Sequence, residues 1–343
     1  MTRASEYLNF RLLILGRGRT IRYAGLAPSV SCDTKLLRVT INETFLVTGA
    51  LGLVGSRLVP LLARQFPDSR IISVHRSGGN PSRSRDIRAE IVCGDLRQWS
   101  LWKALPTTIT CVFHLAAVIP WSNSERQRAA VVGDNLLPLA NLIEISQSWP
   151  DLKQVVFSSS VALYGATEEL VTEDSLKKPT DLYGGCKLAG EDLLLCLQSY
   201  GTRVACLRYS SIYGFGQYPG SVLPTMVTGA ITSGEIQVYG TGKRTQDFVH
   251  CDDTANANLL AYQKKAHGAF NIGSGIPTSM TELAETINHV FTNRTAKIIY
   301  KHDRSEDPPG IRIDISKAKH ELGYSPIPLS LGLETLNVES DAL

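Results

Sequence analysis

The chain has 343 residues, 43% of them hydrophobic, with 35 Lys and Arg against 32 Asp and Glu for a formal net charge of +3. That length accommodates one large domain or a domain with a smaller partner lobe, and the apolar fraction fills a sizeable core. So small a net charge points to no polyanionic partner such as nucleic acid, and no run reaches the eighteen or so apolar residues that span a bilayer.

Charge is concentrated at the start. Residues 1–40 hold seven Lys or Arg against Glu6 and Asp33, so this extension carries +5 and the remainder −2. An Arg-rich, acid-poor start suits an organelle transit peptide; the plainer reading is an extension of unknown role. The seven cysteines (Cys32, Cys93, Cys111, Cys186, Cys196, Cys206, Cys251) form no Cys-x-x-Cys pair and fit reduced thiols in a cytoplasmic protein. The seven histidines are scattered, none paired with another ligand at helical or turn spacing, so no metal site is expected.

The first ordered element is expected at Phe45 to Val47, a short apolar run that reads as a buried strand of a parallel sheet. It breaks into Gly49, Gly52 and Gly55. Gly49 suits a tight turn, Gly52 leaves the backbone open to a diphosphate, and Gly55 lets the following helix, about 53–65, lie close to the sheet. The free N–H groups at that helix start favour an anion. Pro60 removes one backbone bond and is expected to bend the helix. A second strand, Ile71 to His75, completes a βαβ unit of about thirty residues.

Strands and helices then alternate. Ala89–Cys93 leads into the turn Gly94-Asp95-Leu96, and Thr110–Leu115 into Ala116-Ala117. A helix over about 125–147 is followed by a strand from Gln154 to Ser158, a helix over 183–200 and a strand over 202–207. Such alternation predicts an α/β fold, a Rossmann-type doubly wound parallel sheet with helices on both faces, over residues 41–212. Beyond Tyr213 glycine and proline become frequent, and residues 213–343 read as a smaller C-terminal substrate-binding lobe. It contains a strand over 246–250 and helices over 252–265 and 280–291, and the chain returns to the sheet near Phe270.

The chemistry lies in Ser158-Ser159-Ser160 and in Tyr183-Gly-Gly-Cys-Lys187. Residues four apart share a helix face, so Lys187 can place its ammonium near the Tyr183 phenol. That charge, together with an oxidised nicotinamide ring, lowers a phenol from near ~10 toward a working pH and makes Tyr183 a candidate general base. Ser160, at a strand's carboxyl end, can hold the same substrate oxygen. The bare Tyr-x-x-x-Lys pattern is common as a surface pair; its specificity comes from the glycine turn and the serine-ended strand before it.

These segments resemble the extended short-chain dehydrogenase/reductases of the NAD-dependent sugar-nucleotide epimerase/dehydratase type, UDP-glucose 4-epimerase-like, from about Thr44 to Pro326. The matching pieces run in order from Thr48-Gly-Ala-Leu-Gly-Leu-Val-Gly55 through Gly94-Asp95-Leu96, His114-Leu-Ala-Ala117, Asn135, Ser158 to Gly165, Tyr183 with Lys187, and Leu207 to Gly214. Val238 to Gly242, Asp247 to Asp253 and Asp314 to Gly323 follow. The resemblance implies a cofactor, NAD or NADP, held by Gly49, Gly52, Leu53, Val54 and Gly55 at its pyrophosphate. Asp95 and Leu96 would lie at the adenine, and Leu115, Ala116, Ala117, Ser158, Tyr183, Lys187 and Tyr209 along the rest. It implies Ser160, Tyr183 and Lys187 as the catalytic group, with Asn135 as a helper. It also implies a homodimer formed through the two long helices.

Departures narrow the reaction. Dehydratases of this type carry an Asp-Glu pair where this chain has Val161 and Ala162, and the decarboxylases and the 3,5-epimerase-reductases carry a Glu or Cys there. Where NAD enzymes show an acidic residue after the second strand, this chain has His75-Arg76, and Arg76 can accept a 2′-phosphate or point to solvent. Ser211 and Gln246 replace an asparagine and an arginine that face the substrate. Arg244 and Arg304 fall at or near the diphosphate positions and, with Ser160 and Ser211, are the substrate-binding candidates. The expected function is an epimerase of a nucleotide-diphosphate sugar acting by transient oxidation. The alternative is an NADPH-dependent ketoreductase of a keto-sugar nucleotide or other carbonyl compound; a non-catalytic cofactor sensor would not retain serine, tyrosine and lysine together.

Overall fold

The computed structural model describes residues 43–76, 88–120, 125–167, 169–302 and 310–341, all within one compact unit. The N-terminal extension 1–40 and Arg304 lie outside the described residues. Elements alternate through β1 (Thr44–Thr48), α1 (Gly55–Gln65), β2 (Arg70–His75), β3 (Glu90–Cys93), α2 (Trp99–Ala104), β4 (Cys111–His114), α3 (Glu125–Ser146) and β5 (Gln154–Ser160). A two-residue strand β6 (Leu170–Val171) precedes α4 (Leu182–Leu194) and β7 (Arg203–Tyr209). The second half contains β8 (Ser211–Tyr213), α5 (Val222–Thr232), β9 (Glu235–Tyr239), β10 (Thr245–His250), α6 (Cys251–Gln263) and β11 (Gly268–Ile272). It closes with β12 (Pro277–Ser279), α7 (Met280–Thr292), β13 (Lys297–Lys301), β14 (Arg312–Ile313) and α8 (Leu329–Asp341).

Seven of these strands form one sheet in the order β11-β7-β5-β4-β1-β2-β3, and every pair in it is parallel. The order reverses between β1 and β4, the place where α/β sheets open a crevice at the carboxyl ends of their strands. Side chains alternate across the sheet. Phe45, Val47, Phe113, Val156 and Leu207 pack with Leu58 and Leu62 of α1 and Leu259 of α6 on one face. Leu46, Ile72, Val112, Val155 and Val204 pack with Trp102 of α2, Leu139 and Leu142 of α3 and Leu194 of α4 on the other. A third core joins α5, β9, α7 and α8 through Met226, Val238, Leu283 and Leu333.

The doubly wound sheet and the return at β11 match the expectation. α1 continues through Pro60 as a single helix. α4 is shorter than expected: it yields at Leu195 to a 3₁₀ segment that ends on Gly201, whose φ of 80° closes the turn. The helices α2, α5 and α8 and the short strands β6, β8, β9, β12, β13 and β14 lacked a clear period in the sequence. Among the described residues no helix is long and apolar enough to cross a membrane. The six described cysteines form no disulfide, with Cys93 and Cys196 exposed and the other four buried.

Beneath the carboxyl end of β5 lies a buried polar network. Arg208 of β7 donates from Nε and Nη2 to both carboxylate oxygens of Glu191 on α4 at 2.9 and 2.8 Å, and from Nη1 to the Tyr164 hydroxyl at 2.7 Å. Glu191 also accepts from Ser159 Oγ at 2.5 Å, and Tyr164 donates to Asn271 Oδ1 at 2.7 Å. Burial alone would lower the Arg208 pKa; the hydrogen bonds and charge of Glu191 outweigh it and hold the guanidinium charged. Removing one partner leaves the other charge buried and unmatched. Glu191→Ala is therefore expected to lose about 3–5 kcal/mol of stability, read as a lowered midpoint in urea unfolding, with Glu191→Gln losing less.

Candidate functional site

The cradle begins at the exit of β1. Gly49 has φ +68°, and a Cβ there would lie 2.8 Å from the Ala116 backbone nitrogen and 2.9 Å from its Cα, so glycine serves both the turn and the closeness of the two strand ends. A Cβ on Gly55 would overlap the Gly49 carbonyl oxygen. Across the crevice Thr48 Oγ1 accepts from the Ala116 N–H at 3.2 Å and bonds His114 Nδ1 at 3.2 Å, which fixes the exit of β4 against that of β1. No side chain caps α1, whose N-cap is Val54, and its first turn has no acidic residue, so no carboxylate competes with an anion at this helix start.

These ends border a cavity of about 300 Å³ lined by Gly49, Gly52, Leu115, Ala116, Ala117 and Val118, continuing past Val74, His75 and Arg76 to Gly94, Asp95 and Leu96. Its glycine floor and the uncapped helix fit a dinucleotide diphosphate, the group that the chemistry at Tyr183 calls for. A larger open groove of about 690 Å³, bordered by Thr44, Arg70, Thr110 and Lys153, lies at the opposite, amino ends of the strands.

Ser160 ends β5 and caps the 3₁₀ turn Val161–Tyr164, its Oγ accepting from Ala162 N–H at 3.2 Å. Asp181 caps α4 by accepting from Gly184 N–H at 2.7 Å. The first turn of α4 rests on the Ala162 carbonyl, where a Gly184 Cβ would stand at 2.5 Å, and further along a Gly190 Cβ would meet Phe157 and Leu139 at 2.8 Å. That approach brings the Tyr183 hydroxyl close to Ser160. Lys187, 2% exposed, donates to the Ser158 carbonyl at 2.6 Å and lies 5.5 Å from the Tyr183 ring centroid.

Burial sets the protonation of this group. It raises the Tyr183 pKa well above the ordinary phenol range, and the Ser160 hydroxyl offsets only part of that. It lowers Lys187 to about 8, against the opposing effects of Cys186 and Glu191. Burial likewise holds His114 neutral, its pKa lowered to about 3 with a further contribution from Lys187. Tyr209, raised by burial to about 12, bonds Ser158 and accepts from Asn258 Nδ2 at 2.6 Å.

Other expected residues take specific places. Asn135 is buried and fastens the loop after β4: its Oδ1 accepts from Val118 N–H at 3.2 Å, and its Nδ2 donates to the Val118 and Val131 carbonyls at 2.9 and 2.7 Å. Leu53 and Val54 sit at the α1 entrance, Val54 as its N-cap. Ser211, at the start of β8, accepts a hydrogen bond from Gln246 of β10. Arg244, half-buried just before β10, lies 3.6 Å from Met280 Sδ. Asp95 is held by Arg97, and Arg76, half exposed, pairs with Asp134 of α3 at 2.9 Å.

Four residues escaped the sequence reading. Asp134 and Arg97 lie in the turn and helix around the cavity with no spacing that marks them. Glu191 falls four residues beyond Lys187 on the same helix face, and Arg208 is a cation inside an apolar strand that has its other arginine, Arg203, at the opposite end; those were the available signals. The histidine reading needs one amendment, because His250, Cys251 and Asp252 bring possible ligand atoms within 4.8 Å of one another. Their groups are already engaged: His250 Nδ1 accepts from Asp252 N–H at 3.3 Å, His250 Nε2 faces Thr335 Oγ1 at 3.4 Å, and Asp252 pairs with Arg57 at 3.4 Å.

The chain is similar in sequence and fold to known proteins. The pattern of the NAD dependent epimerase/dehydratase family matches residues 45–273. A protein of Methanocaldococcus jannaschii that carries the provisional name UDP-glucose 4-epimerase is 33% identical over 297 residues, 84% of this chain and 95% of that one. A Streptomyces dTDP-4-dehydro-6-deoxy-D-allose reductase is 28% identical, over 85% of this chain and 94% of its own length. Among solved structures, the UDP-glucose 4-epimerase of Thermotoga maritima, determined with UDP-glucose, is 28% identical with a TM-score of 0.79, covering 88% of this chain and 100% of that one. With its glycine turn, its serine-ended strand and its Tyr183–Lys187 pair inside the matched stretch, the chain belongs to the NAD dependent epimerase/dehydratase family.

Proposed function

We propose that the chain is an epimerase of a nucleotide-diphosphate sugar, most simply at carbon 4 of a UDP-sugar, working by transient oxidation of a sugar hydroxyl. The observation that carries this is the grouping of Ser160, Tyr183 and Lys187, with Lys187 buried against the Ser158 carbonyl and near the Tyr183 ring, at the strand ends beside the dinucleotide cradle. Residues 41–212 supply the cofactor site and residues 213–343 mainly the substrate side, where Ser211, Arg244 and Arg304 are our candidates for the nucleotide-sugar contacts.

A bound nicotinamide dinucleotide supplies the hydride acceptor and, in the return step, the hydride donor. Tyr183 takes the hydroxyl proton through its phenolic oxygen while Ser160 holds the same oxygen by hydrogen bonding. Lys187, fixed by the Ser158 carbonyl, favours the phenolate. The keto sugar then turns over, accepts hydride on its other face, and recovers its proton from Tyr183. Asn135 supports the substrate wall by holding the Val118 backbone. Val161 and Ala162 offer no acid-base pair to expel water, which favours epimerisation over dehydration.

The second reading, a net ketoreductase, is favoured by the reductase relative. The sequence feature that leaned toward it, Arg76, is taken up by Asp134. We also read the chain as a cytoplasmic homodimer. The exposed Val132 and Leu137 on α3 and Leu182 and Leu193 on α4 support a partner of the same kind.

Three outcomes are expected. Tyr183→Phe loses about 10²- to 10⁴-fold in turnover of UDP-glucose or UDP-N-acetylglucosamine, measured by product chromatography, while still binding the dinucleotide; unchanged turnover removes the assignment. Lys187 must be charged to favour phenolate, so activity falls as pH rises through about 8. Lys187→Arg, which keeps its charge, moves that alkaline limb upward in a pH–rate profile. Light scattering gives twice the chain mass of 37.5 kDa.

A further inference from the structure

At the far end of the cavity from Tyr183, four charged side chains from three segments form one network. Arg76, just after β2, places Nη2 2.9 Å from Asp134 Oδ2, and Arg97, after β3, places Nη1 3.1 Å from Asp134 Oδ1. The other edge of the Arg97 guanidinium donates to Asp95 at 2.5 and 2.9 Å, and Arg76 also lowers the Asp95 pKa through its charge, after the Arg97 bonds. The Asp134 side chain is only 5% exposed, whereas those of Arg76 and Arg97 are about half exposed at 54% and 42%. Arg76, Asp95 and Asp134 therefore line the cavity, and Arg97 bridges the two carboxylates.

The position of this network decides what it meets. The cavity runs from the Gly49–Gly52 turn, which takes the diphosphate, to the ends of β2 and β3, where the adenosine ribose of a dinucleotide falls. An acidic residue at the end of β2 would select a free 2′-hydroxyl there, and an arginine a 2′-phosphate. This chain has His75 in the acidic place and Arg76 next to it, which by itself favours the phosphate. The buried Asp134 reverses the balance. Arg76 and Arg97 contribute two positive charges, Asp95 and Asp134 two negative ones, and the four described groups sum to zero.

We infer that Asp134, acting through Arg76 and Arg97, makes the adenosine end of this site select NAD over NADP. The inference rests on the dinucleotide-binding reading of the cavity and deepens it. A 2′-phosphate would bring its charge to guanidiniums already neutralised and would have to displace a buried carboxylate from them; a ribose diol meets no such opposition. Asp134 is thus a positioning residue that sets cofactor choice without touching the reacting atoms.

The test is titration of NADH and NADPH by fluorescence into the purified full chain, stripped of any co-purifying nucleotide, with circular dichroism to verify folding. The parent protein is expected to bind NADH at least about tenfold tighter than NADPH, and Asp134→Asn to shift that ratio toward NADPH by about tenfold or more. Should Asp134→Asn fail to fold, Arg97→Gln at the exposed partner leaves a net negative site and is expected to raise the preference for NADH. A parent that prefers NADPH, or a ratio unmoved in the variants, overturns the inference while leaving the dinucleotide site intact. A parent that binds neither nucleotide overturns the dinucleotide reading itself, and the inference with it.

Discussion

The catalytic edge depends on a buried ion pair. Arg208 and Glu191 sit under the end of β5 with side chains 2% and 8% exposed, and desolvating two charges is tolerable only because both guanidinium edges and both carboxylate oxygens are used. The pair crosses from β7 to α4, and Glu191 adds the Ser159 hydroxyl as a third partner. Three elements are thereby locked in register: the strand that ends in Ser160, the helix that carries Tyr183 and Lys187, and the strand that carries Tyr209. Aliphatic side chains of similar volume would bury as well but would not specify which helix turn faces which strand residue.

Close backbone approach completes what the ion pair begins. Gly184 and Gly190 let α4 descend onto Ala162 and Phe157, and Gly49 and Gly55 do the same for the turn and helix that open the cradle. A methyl group at any of the four would need the backbone or a packed ring to move, and the hydrogen bond from Lys187 to the Ser158 carbonyl tolerates little displacement. The polar network and the glycines act on different coordinates. One fixes rotation and register of α4, the other its distance from the sheet.

The parts legible in the sequence are those carried by short, local patterns. The strand Phe45–Val47, the glycine spacing, the serine-ended β5 and the i, i+4 pair Tyr183–Lys187 each express a constraint within a few residues, and the seven-stranded sheet follows from their alternation. The short strands of the C-terminal half are set by pairings such as β9 with β13, more than fifty residues apart, and carry no period of their own. The same holds at the site. Asp134 and Arg76 are 58 positions apart and meet only because α3 packs over the ends of β2 and β3. An arginine after β2 can thus be read for its chemistry, yet its charge balance is invisible until the fold supplies the carboxylate.

The adenosine end of the cavity and the catalytic group differ in how they hold charge. At the adenosine end, half-exposed guanidiniums are matched by carboxylates. At Tyr183 and Lys187, burial opposes ionisation of both partners: it keeps the Tyr183 phenol protonated and brings the Lys187 ammonium close to releasing its proton. A strong base exposed in an empty cavity would be neutralised by water. Here the phenol stays protonated in the empty site, and a further positive charge entering beside it would favour phenolate, the form that takes the sugar hydroxyl proton. The low dielectric that makes phenolate costly in the empty site is what makes each nearby positive charge count once the site is filled.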